Sequence, residues 1–525
     1  MHDSVNKLIS VKREILAISE KKNKNKDKVK VMTSTLDIEL SDLEINLNFL
    51  VLDVQGAELE VLKGSIRTLE KIDYVIAELS AIELYRNNAR MSSVILFLKN
   101  HNFIYVSSEI NRATGWGEGL FIKKTKFNLD KEIKVSGISI NAAHVMKGDI
   151  FVALAGSKTH GANFVDLAVK NGAVAVLSDK ALDLSIPSFI HPSPREILGD
   201  LSAWIYEKPF TKLTAVGITG TNGKTTTSNI LNQIWKLSGF KSGLIGTLGA
   251  EVGSDSLAGI RTTPEADELQ ALAALMVSKD LSHLVMEVSS HGLDQLRIQG
   301  AKFKVVGFSN LTQDHLDYHK NMDNYFNAKA KLFTKEYTEI AVINIDDQYG
   351  LKLSKQVSIP TQTVSRNNKN ANWYYEKIES KIDGFEVEIN SSDGKKISGK
   401  LALIGEFNLD NLLLAVALAS GAGLDEAKIS STIAQLMSVP GRLEQIKVGQ
   451  GFTALVDYAH TPDAVSRVLE IAGKITNGKV IAVLGCGGDR DISKRPLMGQ
   501  ALFTGSDIAV FTSDNPRNES SDEIL

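Results

Sequence analysis

The chain has 525 residues, a length that suggests about three or four domains, and its 43% hydrophobic and 23% charged content is ordinary for a soluble globular protein. A formal net charge of −3 gives no reason to expect nucleic-acid binding, and the single cysteine, Cys486, excludes an internal disulfide framework and fits a reducing compartment. No apolar run approaches the roughly 20 residues of a membrane span, and the N-terminus lacks a secretory apolar core, so a cytoplasmic protein without membrane contact is expected.

Residues 21–30 (KKNKNKDKVK) are basic and poor in apolar side chains, which predicts a solvated segment. A compact α/β pattern follows. It has a strand at 48–54, a turn at Gly56, a helix carrying Leu59, Val61, Leu62 and Ile66, a strand at 74–79, a helix at 92–99 and a strand at 103–106. Residues 123–131 are charged and read as a linker. A second unit, about 133–209, has strands at 150–154 and 173–177 around a helix at 164–171. A large third unit alternates strands and helices to about residue 440. A fourth begins near Gly441, with three apolar strands at 453–456, 480–484 and 508–511. Strands alternating with helices predict an α/β fold with mostly parallel sheets covered on both faces. The expected domains are 1–125, 130–209, 210–440 and 441–525.

The third unit opens with the densest chemistry. An apolar strand (Leu213, Ala215, Val216, Ile218) runs into Gly220-Thr221-Asn222-Gly223-Lys224-Thr225-Thr226, and a helical pattern with Ile230, Leu231, Ile234 and Trp235 follows. Strand, glycine turn, lysine with hydroxyls, then helix is the order that cradles nucleotide phosphates. Glycines let backbone N–H groups approach, Lys224 adds a point charge, Thr225 can ligate Mg²⁺, and the helix start is a positive dipole end. Ile218 stands where the common Walker pattern has its first glycine, so the shorter form typical of ATP-dependent amide ligases is read here.

Arg261-Thr262-Thr263-Pro264 comes next, with proline pushing Thr263 into an extended conformation. Then an apolar strand delivers Glu287-Val288-Ser289-Ser290-His291-Gly292. A carboxylate at the end of a parallel strand is by itself most often a surface residue; beside a phosphate loop it is well placed to hold Mg²⁺. The block Asn310 to His319 packs Asp314, His315, Asp317 and His319 into six positions, which suits metal or phosphate, the alternative being a polar loop with capping aspartates. Lys329 lies inside an aromatic and apolar helix (YFNAKAKLF), where a charged amine is costly unless neutralised or paired.

The blocks GTNGKTT, TTPE, EVSSHGLDQLR, NLTQDHLDYH, YFNAKAKLF, GEFNLDN, PGRLE, VDYAHTPD, GCGGDRD and DNPR stand in the order shown by Mur ligases, and the chain from about residue 130 resembles the MurE-type, diaminopimelate-adding branch of that family. The resemblance implies a small uridine-binding α/β domain, a P-loop-type central domain and a Rossmann-like C-terminal domain. It also implies an ATP-dependent ligase of peptidoglycan synthesis, with the dipeptide carboxylate activated as an acyl phosphate and captured by the diaminopimelate amine. Gly220 to Thr226 would bind ATP, with Asn408 and Asn411 on the adenine side and Arg442 and Asp457 closing over phosphate and ribose. Thr225 and Glu287 would hold one Mg²⁺, His315 would approach a second, and Lys329 would be the lysine that family members carbamylate. Ser157, Lys158, Thr159, Thr262, Thr263, Ser289, Gln295 and Arg297 would hold the UDP-muramyl dipeptide. Arg490 with Asp514, Asn515, Pro516 and Arg517 would recognise diaminopimelate, guanidiniums being suited to clamping carboxylates. A monomer is expected. Lysine-adding relatives, which usually lack the arginine of DNPR, and folylpolyglutamate synthetases, which share the phosphate loop, are the nearest alternatives.

Three departures from the family pattern stand out. Asn141-Ala142-Ala143 replaces an Asp-Ser-Arg triplet ahead of Gly148-Asp149-Ile150-Phe151; Arg261 stands where an asparagine usually precedes the two threonines; and the chain stops at Leu525, eight residues after Arg517. The last leads to an expectation of a truncated C-terminal domain and impaired ligation. Residues 30–123 resemble the C-terminal part of FkbM-type methyltransferases through FLVLDVQGAELEVLKGSI, Ile76-Ala77-Glu78 and Gly115-Trp116-Gly117. That family's glycine-rich cofactor loop would lie upstream, where only the lysine-rich start is found. A vestigial fragment is therefore expected, with Asp53, Glu58 and Glu78 as polar site residues if methyl transfer survived; a methyltransferase carrying a passenger ligase, or a non-catalytic nucleotide-binding fusion, is the alternative.

Overall fold

The computed structural model describes residues 34–525 except 41–48, 55, 81–90, 112–115, 124–132, 157–158, 260, 382–383, 447 and 490. The basic run 21–30, nearly all of the linker at 123–131, Ser157, Lys158, Gly115 and Arg490 therefore lie outside the described residues. The chain divides into two units, 1–133 and 134–525.

In the first unit β1 (Phe49–Leu52), β2 (Tyr74–Ser80), β3 (Phe103–Asn111) and β4 (Trp116–Lys123) form one sheet of order β1-β2-β4-β3. β1 and β2 are parallel; β2–β4 and β4–β3 are antiparallel. Leu52, Leu62, Leu69, Val75, Leu79, Leu98, Phe103 and Phe121 make its core. Two expectations need correcting. The single helix through Ile66 is two, Glu58–Lys63 and Ile66–Lys71, interrupted at Gly64 and Ser65. The strand at 103–106 continues to Asn111 and returns as β4, which the glycine-rich sequence Trp116-Gly117-Glu118-Gly119 concealed because glycine is depleted in strands.

The second unit begins with a small parallel sheet of β5 (Gly137–Ser139), β6 (Asp149–Ala153), β7 (Ala175–Ser178) and β8 (Ser188–Ile190), in that order. The helix Pro194–Ile205 then leads to a sheet of eleven strands. These are β9 (Thr214–Thr219), β10 (Ser242–Gly246), β11 (Gly249–Val252), β12 (Asp255–Leu257), β13 (His283–Glu287), β14 (Phe303–Phe308), β15 (Thr338–Asn344), β16 (Thr361–Ser365), β17 (Trp373–Lys381), β18 (Gly384–Ser391) and β19 (Lys396–Leu401). Their order is β12-β11-β10-β13-β9-β14-β15-β16-β17-β18-β19; pairing is parallel from β10 through β17 and antiparallel at both margins.

The central strands are apolar through their middle positions, on both faces, because both faces are covered. Val216, Val285, Val305 and Val342 point to one side with Ile230, Leu231 and Leu414; Ala215, Leu284, Met286, Val306 and Ala341 point to the other with Leu269, Ala273 and Phe326. In register, β9, β13 and β14 all end at one rim, where Thr219, Glu287 and Phe308 lie. That rim, at the carboxyl ends of parallel strands, is where open α/β sheets place their sites.

The described residues of the fourth region contain four strands, not the three expected. β20 (Glu444–Ile446) pairs antiparallel with β21 (Ala454–Val456), and β22 (Ile481–Cys486) pairs parallel with β23 (Ile508–Ser513). β20 escaped notice because a three-residue strand with Glu and Gln carries little apolar periodicity. Val465, Leu469, Ala482, Met498 and Leu502 form the core between the β22–β23 pair and the helices Pro462–Ile475 and Lys494–Gly505, while Ile481, Val483, Phe503 and Val510 are exposed.

A buried carboxylate marks the junction between the small sheet and the large one. Asp267, in the first turn of the helix Ala266–Ser278, accepts from the Ile140 N–H at 3.0 Å through Oδ2, and its Oδ1 has no partner among the described residues. Burial pushes its pKa up to about 6. A folded pKa above the unfolded value of about 3.9 leaves the group's stabilising contribution intact below pH 4 and removes it as pH rises through 6. Asp267→Asn keeps the acceptor for Ile140 and is expected to be more stable than the parent at pH 8 by about 2–3 kcal/mol, a gap that closes by pH 4. Urea unfolding at the two pH values measures it; equal differences at both would refute it.

Candidate active site

The loop between β9 and the helix Lys224–Leu237 is built on two glycines with positive φ, Gly220 at 147° and Gly223 at 84°. A Cβ at Gly220 would stand 1.9 Å from Ser309 Oγ, and one at Gly223 would stand 2.4 Å from Asn411 Oδ1. No other residue fits this turn without displacing its neighbours. The loop is tied to the next strand end by Asn222 N–H donating to Asn310 Oδ1 (2.9 Å), and by Ser309 Oγ donating to the Asn222 carbonyl (2.6 Å).

Lys224 Nζ turns back onto the carbonyls of Gly220 (3.0 Å) and Thr221 (2.9 Å). Burial lowers its pKa, and Glu287 and Asp314 oppose that. Thr225 Oγ1 donates to Glu287 Oε2 at 3.0 Å. Thr247, a residue for which the sequence carried no motif, donates to the same carboxylate from its N–H (2.9 Å) and its hydroxyl (3.1 Å), and that hydroxyl lies 3.1 Å from Thr262 Oγ1. Thr263 Oγ1 donates to the Glu287 carbonyl (3.0 Å) and accepts from the Ser289 N–H (2.9 Å). The predicted Thr225, Thr262, Thr263, Glu287 and Ser289 therefore form one continuous network at the rim, with Glu287 fully buried at its centre.

Lys329, in the helix Met322–Ala330, reaches the same loop. Its Nζ donates to the Gly220 carbonyl at 2.8 Å, the oxygen that Lys224 also uses, and sits 4.7 Å from the centre of the Tyr325 ring. Burial, then the neighbouring Lys224, drives its pKa well below the ordinary value. Two ammonium groups on one carbonyl, that of Lys329 fully buried, repel each other, and the neutral amine relieves it.

His315, held at φ 51°, packs edge-on to His291 at 4.8 Å and lies 6.1 Å from Tyr325. His291 stacks against Tyr318 (4.3 Å), and His319 Nε2 meets Ser290 Oγ at 2.9 Å. Burial lowers the pKa of all three histidines. This aromatic wall is a feature the sequence reading missed as a unit, although His315 and His319 at i and i+4 on one short helical turn signalled it.

Gln295 Oε1 accepts from Arg297 Nη2 at 2.5 Å and its Nε2 donates to Tyr318 OH at 3.3 Å, placing both beside the histidine wall. Asn411 accepts from Thr227 Oγ1 (3.3 Å), which ties it to the phosphate-loop helix, and donates to Asn408 Oδ1 (3.1 Å). Arg442 lies over the Tyr458 ring at 5.0 Å, close enough to Lys224 to bear on its charge. Asp457 is occupied locally, accepting from the N–H groups of Leu443 and Ala459, both at 2.8 Å. Thr159 Oγ1 accepts from Asn163 Nδ2 at 3.1 Å. Asp514, Asn515, Pro516 and Arg517 leave the carboxyl end of β23, where Asn515 O accepts from the Gly488 N–H and Arg517 Nη1 donates to Gly488 O. In the first unit Glu58 is buried and accepts from the Gly56 N–H at 3.0 Å, a local turn contact, whereas Asp53 is exposed.

Residues 134–207 match the Mur ligase family catalytic domain, 218–419 the Mur ligase middle domain, 441–525 the Mur ligase glutamate ligase domain, and 6–105 the methyltransferase FkbM domain. The chain is 40% identical over 402 residues to the UDP-N-acetylmuramoyl-L-alanyl-D-glutamate–2,6-diaminopimelate ligase of Streptomyces coelicolor, covering 75% of this chain and 79% of that one. It is 39% identical to the protein of the same name from Aquifex aeolicus, covering 75% and 80%. A solved structure of a ligase of that name superposes with a TM-score of 0.60 at 32% identity, over 74% of this chain and 80% of the other. MurF from Acinetobacter baumannii shares the fold with a TM-score of 0.55 at 20% identity, over 73% and 85%.

Proposed function

The chain belongs to the Mur ligase family, and on that footing we propose that it joins 2,6-diaminopimelate to UDP-N-acetylmuramoyl-L-alanyl-D-glutamate in an ATP-driven step of peptidoglycan synthesis. The carrying observation is the meeting of Lys224, Thr225 and Glu287 at a loop whose two positive-φ glycines leave no room for a side chain. The loop's N–H groups and the dipole of the 14-residue helix behind it receive the phosphates. Lys224, already poised at the loop, follows the phosphoryl group as charge moves onto the glutamyl carboxylate oxygen. Attack of the diaminopimelate amine on the acyl phosphate forms the amide and releases phosphate.

The residues also fit magnesium. A hydroxyl and a carboxylate 3.0 Å apart are hard oxygen donors of the kind that share Mg²⁺ with nucleotide phosphates. Thr225 and Glu287 would hold one ion, and His315 with carbamylated Lys329 a second. Bound magnesium supplies charge neutralisation of the transferring group. Gln295 and Arg297, with Thr262, Thr263 and Ser289, orient the acceptor, and Arg517 with Asp514 and Asn515 meets the incoming amino acid.

Phosphate release from the full chain is the direct test. It is expected only when ATP, the UDP-muramyl dipeptide and diaminopimelate are all present. Release with lysine instead would assign the lysine-adding specificity, and release with no muramyl peptide would overturn the reading.

A further inference from the structure

Beside this site lies a charged cluster that the catalytic account leaves half unused. Glu265 is 5% exposed. Its Oε2 accepts from Arg195 Nη1 at 2.9 Å, while Oε1 lies 3.0 Å from Arg297 Nε, off-axis for a hydrogen bond, and 4.0 Å from Arg261 Nε. Three guanidiniums thus surround one carboxylate, leaving the cluster with surplus positive charge. Arg195 comes from the helix Pro194–Ile205, at the end of the small-sheet region, and bridges 70 residues to reach Glu265. The same Nη1 donates to the Gln295 carbonyl at 3.2 Å. Arg297 donates through Nη1 to the Thr263 carbonyl (3.2 Å) and through Nη2 to Gln295. Thr263 in turn bonds the carbonyl of Glu287, so an unbroken series of contacts runs from Arg195 to the phosphate rim.

A guanidinium has a fixed planar fork, and its value in reading a carboxylate depends on how that fork is aimed. Glu265 and the Thr263 carbonyl hold Arg297 at two points of the fork. Arg195 competes for the other oxygen of Glu265, which stops the carboxylate from closing bidentately on Arg297 and cancelling its charge. Burial lowers the pKa of Arg297, and the approach of Arg261 and Arg195 adds to this against the pull of Glu265. A largely buried, cation-crowded guanidinium gains most from an incoming anion.

We propose that Arg195 and Glu265 are positioning residues that keep Arg297, with Arg261 beside it, open to the non-reacting carboxylate of the acceptor substrate. The inference rests on the proposed function, in that the acceptor is an acidic muramyl peptide with two carboxylates, one reacting and one not. It gives the small-sheet domain a part in reading the peptide as well as the nucleotide end.

Calorimetric titration of the full chain tests it with two ligands: the UDP-muramyl dipeptide, and its analogue with the non-reacting carboxylate converted to an amide. Arg195→Met is expected to weaken dipeptide binding about tenfold while changing amide-analogue binding less than about twofold, as loss of an oriented charge-assisted pair requires. Arg261→Gln, at a side chain 43% exposed and therefore safe for folding, is expected to weaken the dipeptide alone by a few-fold and to flatten its salt dependence. ATP binding should not move in either variant. Equal loss for both ligands, or no loss for either, overturns the positioning role while leaving the proposed function standing. A parent chain that binds ATP and neither muramyl ligand overturns both.

Discussion

Glu287→Gln is expected to cut phosphate release by about 10²–10³-fold, the scale seen when one preorganised electrostatic contact to a transferring group is lost. The substitution is nearly isosteric, and a glutamine oxygen still accepts from the Thr247 N–H that now reaches Oε1 at 2.9 Å. What changes is the second oxygen. Oε2 accepts from the hydroxyls of Thr225 and Thr247 at 3.0 and 3.1 Å, and an amide nitrogen there is a donor facing two groups that can also donate. The hydroxyls rotate, the negative charge beside Lys224 disappears, and the cradle keeps its shape without its anion. Melting temperature should fall by only a few degrees, while magnesium-dependent nucleotide binding, followed by calorimetry, should weaken at least tenfold. Binding and turnover close to the parent would remove Glu287 from the chemistry.

Much of this site was legible because it is contiguous. Seven residues from Gly220 to Thr226 contain the turn, the cation and the hydroxyls, and their setting between a strand and a helix is written in the flanking apolar pattern. Glu287 was legible for a similar reason, as a carboxylate closing the apolar run of β13. Thr247 was not, because a threonine after Gly246 has no signature until the register of β10 with β13 brings it to the carboxylate. Arg195 and Glu265 were hidden for the same physical reason: ion pairing over 70 residues depends on how two domains pack, which local periodicity does not encode. The sheet order tells the same story. Alternation of strands and helices implied parallel pairing, yet the insertion of β13 between β10 and β9 and the antiparallel hairpins at both margins are long-range choices. Strand ends fell short where ladder pairing outlasts the apolar run, by two residues at Gly485 and Cys486 opposite Thr512 and Ser513 and by five at the end of β3.

Lys329→Ala is expected to abolish ligation to a similar degree, and the reason lies in crowding rather than in any single bond. The Gly220 carbonyl cannot satisfy two full ammonium charges from Lys224 and Lys329 at 3.0 and 2.8 Å, with Lys329 fully buried, without an electrostatic cost. Lys224 has Glu287 and Asp314 to sustain its charge; Lys329 has Asp314 against both its burial and Lys224. Under the proposed function Lys329 would be the member that sheds its proton, and its neutral amine would attack CO₂, the N–C bond forming as one proton leaves to solvent. The carbamate would carry a negative charge into a pocket that holds Lys224, turning repulsion into attraction. Removing dissolved CO₂ and bicarbonate from the parent should then reduce turnover several-fold and reversibly, while leaving Lys329→Ala, already inactive, unchanged. Native mass spectrometry should register the adduct on the parent and lose it in the variant. Lys329→Met separates packing from chemistry, because it fills the space against the Tyr325 ring without an amine. A methionine variant that retained parental turnover, or a parent indifferent to CO₂, would show that the buried amine acts only as a spacer.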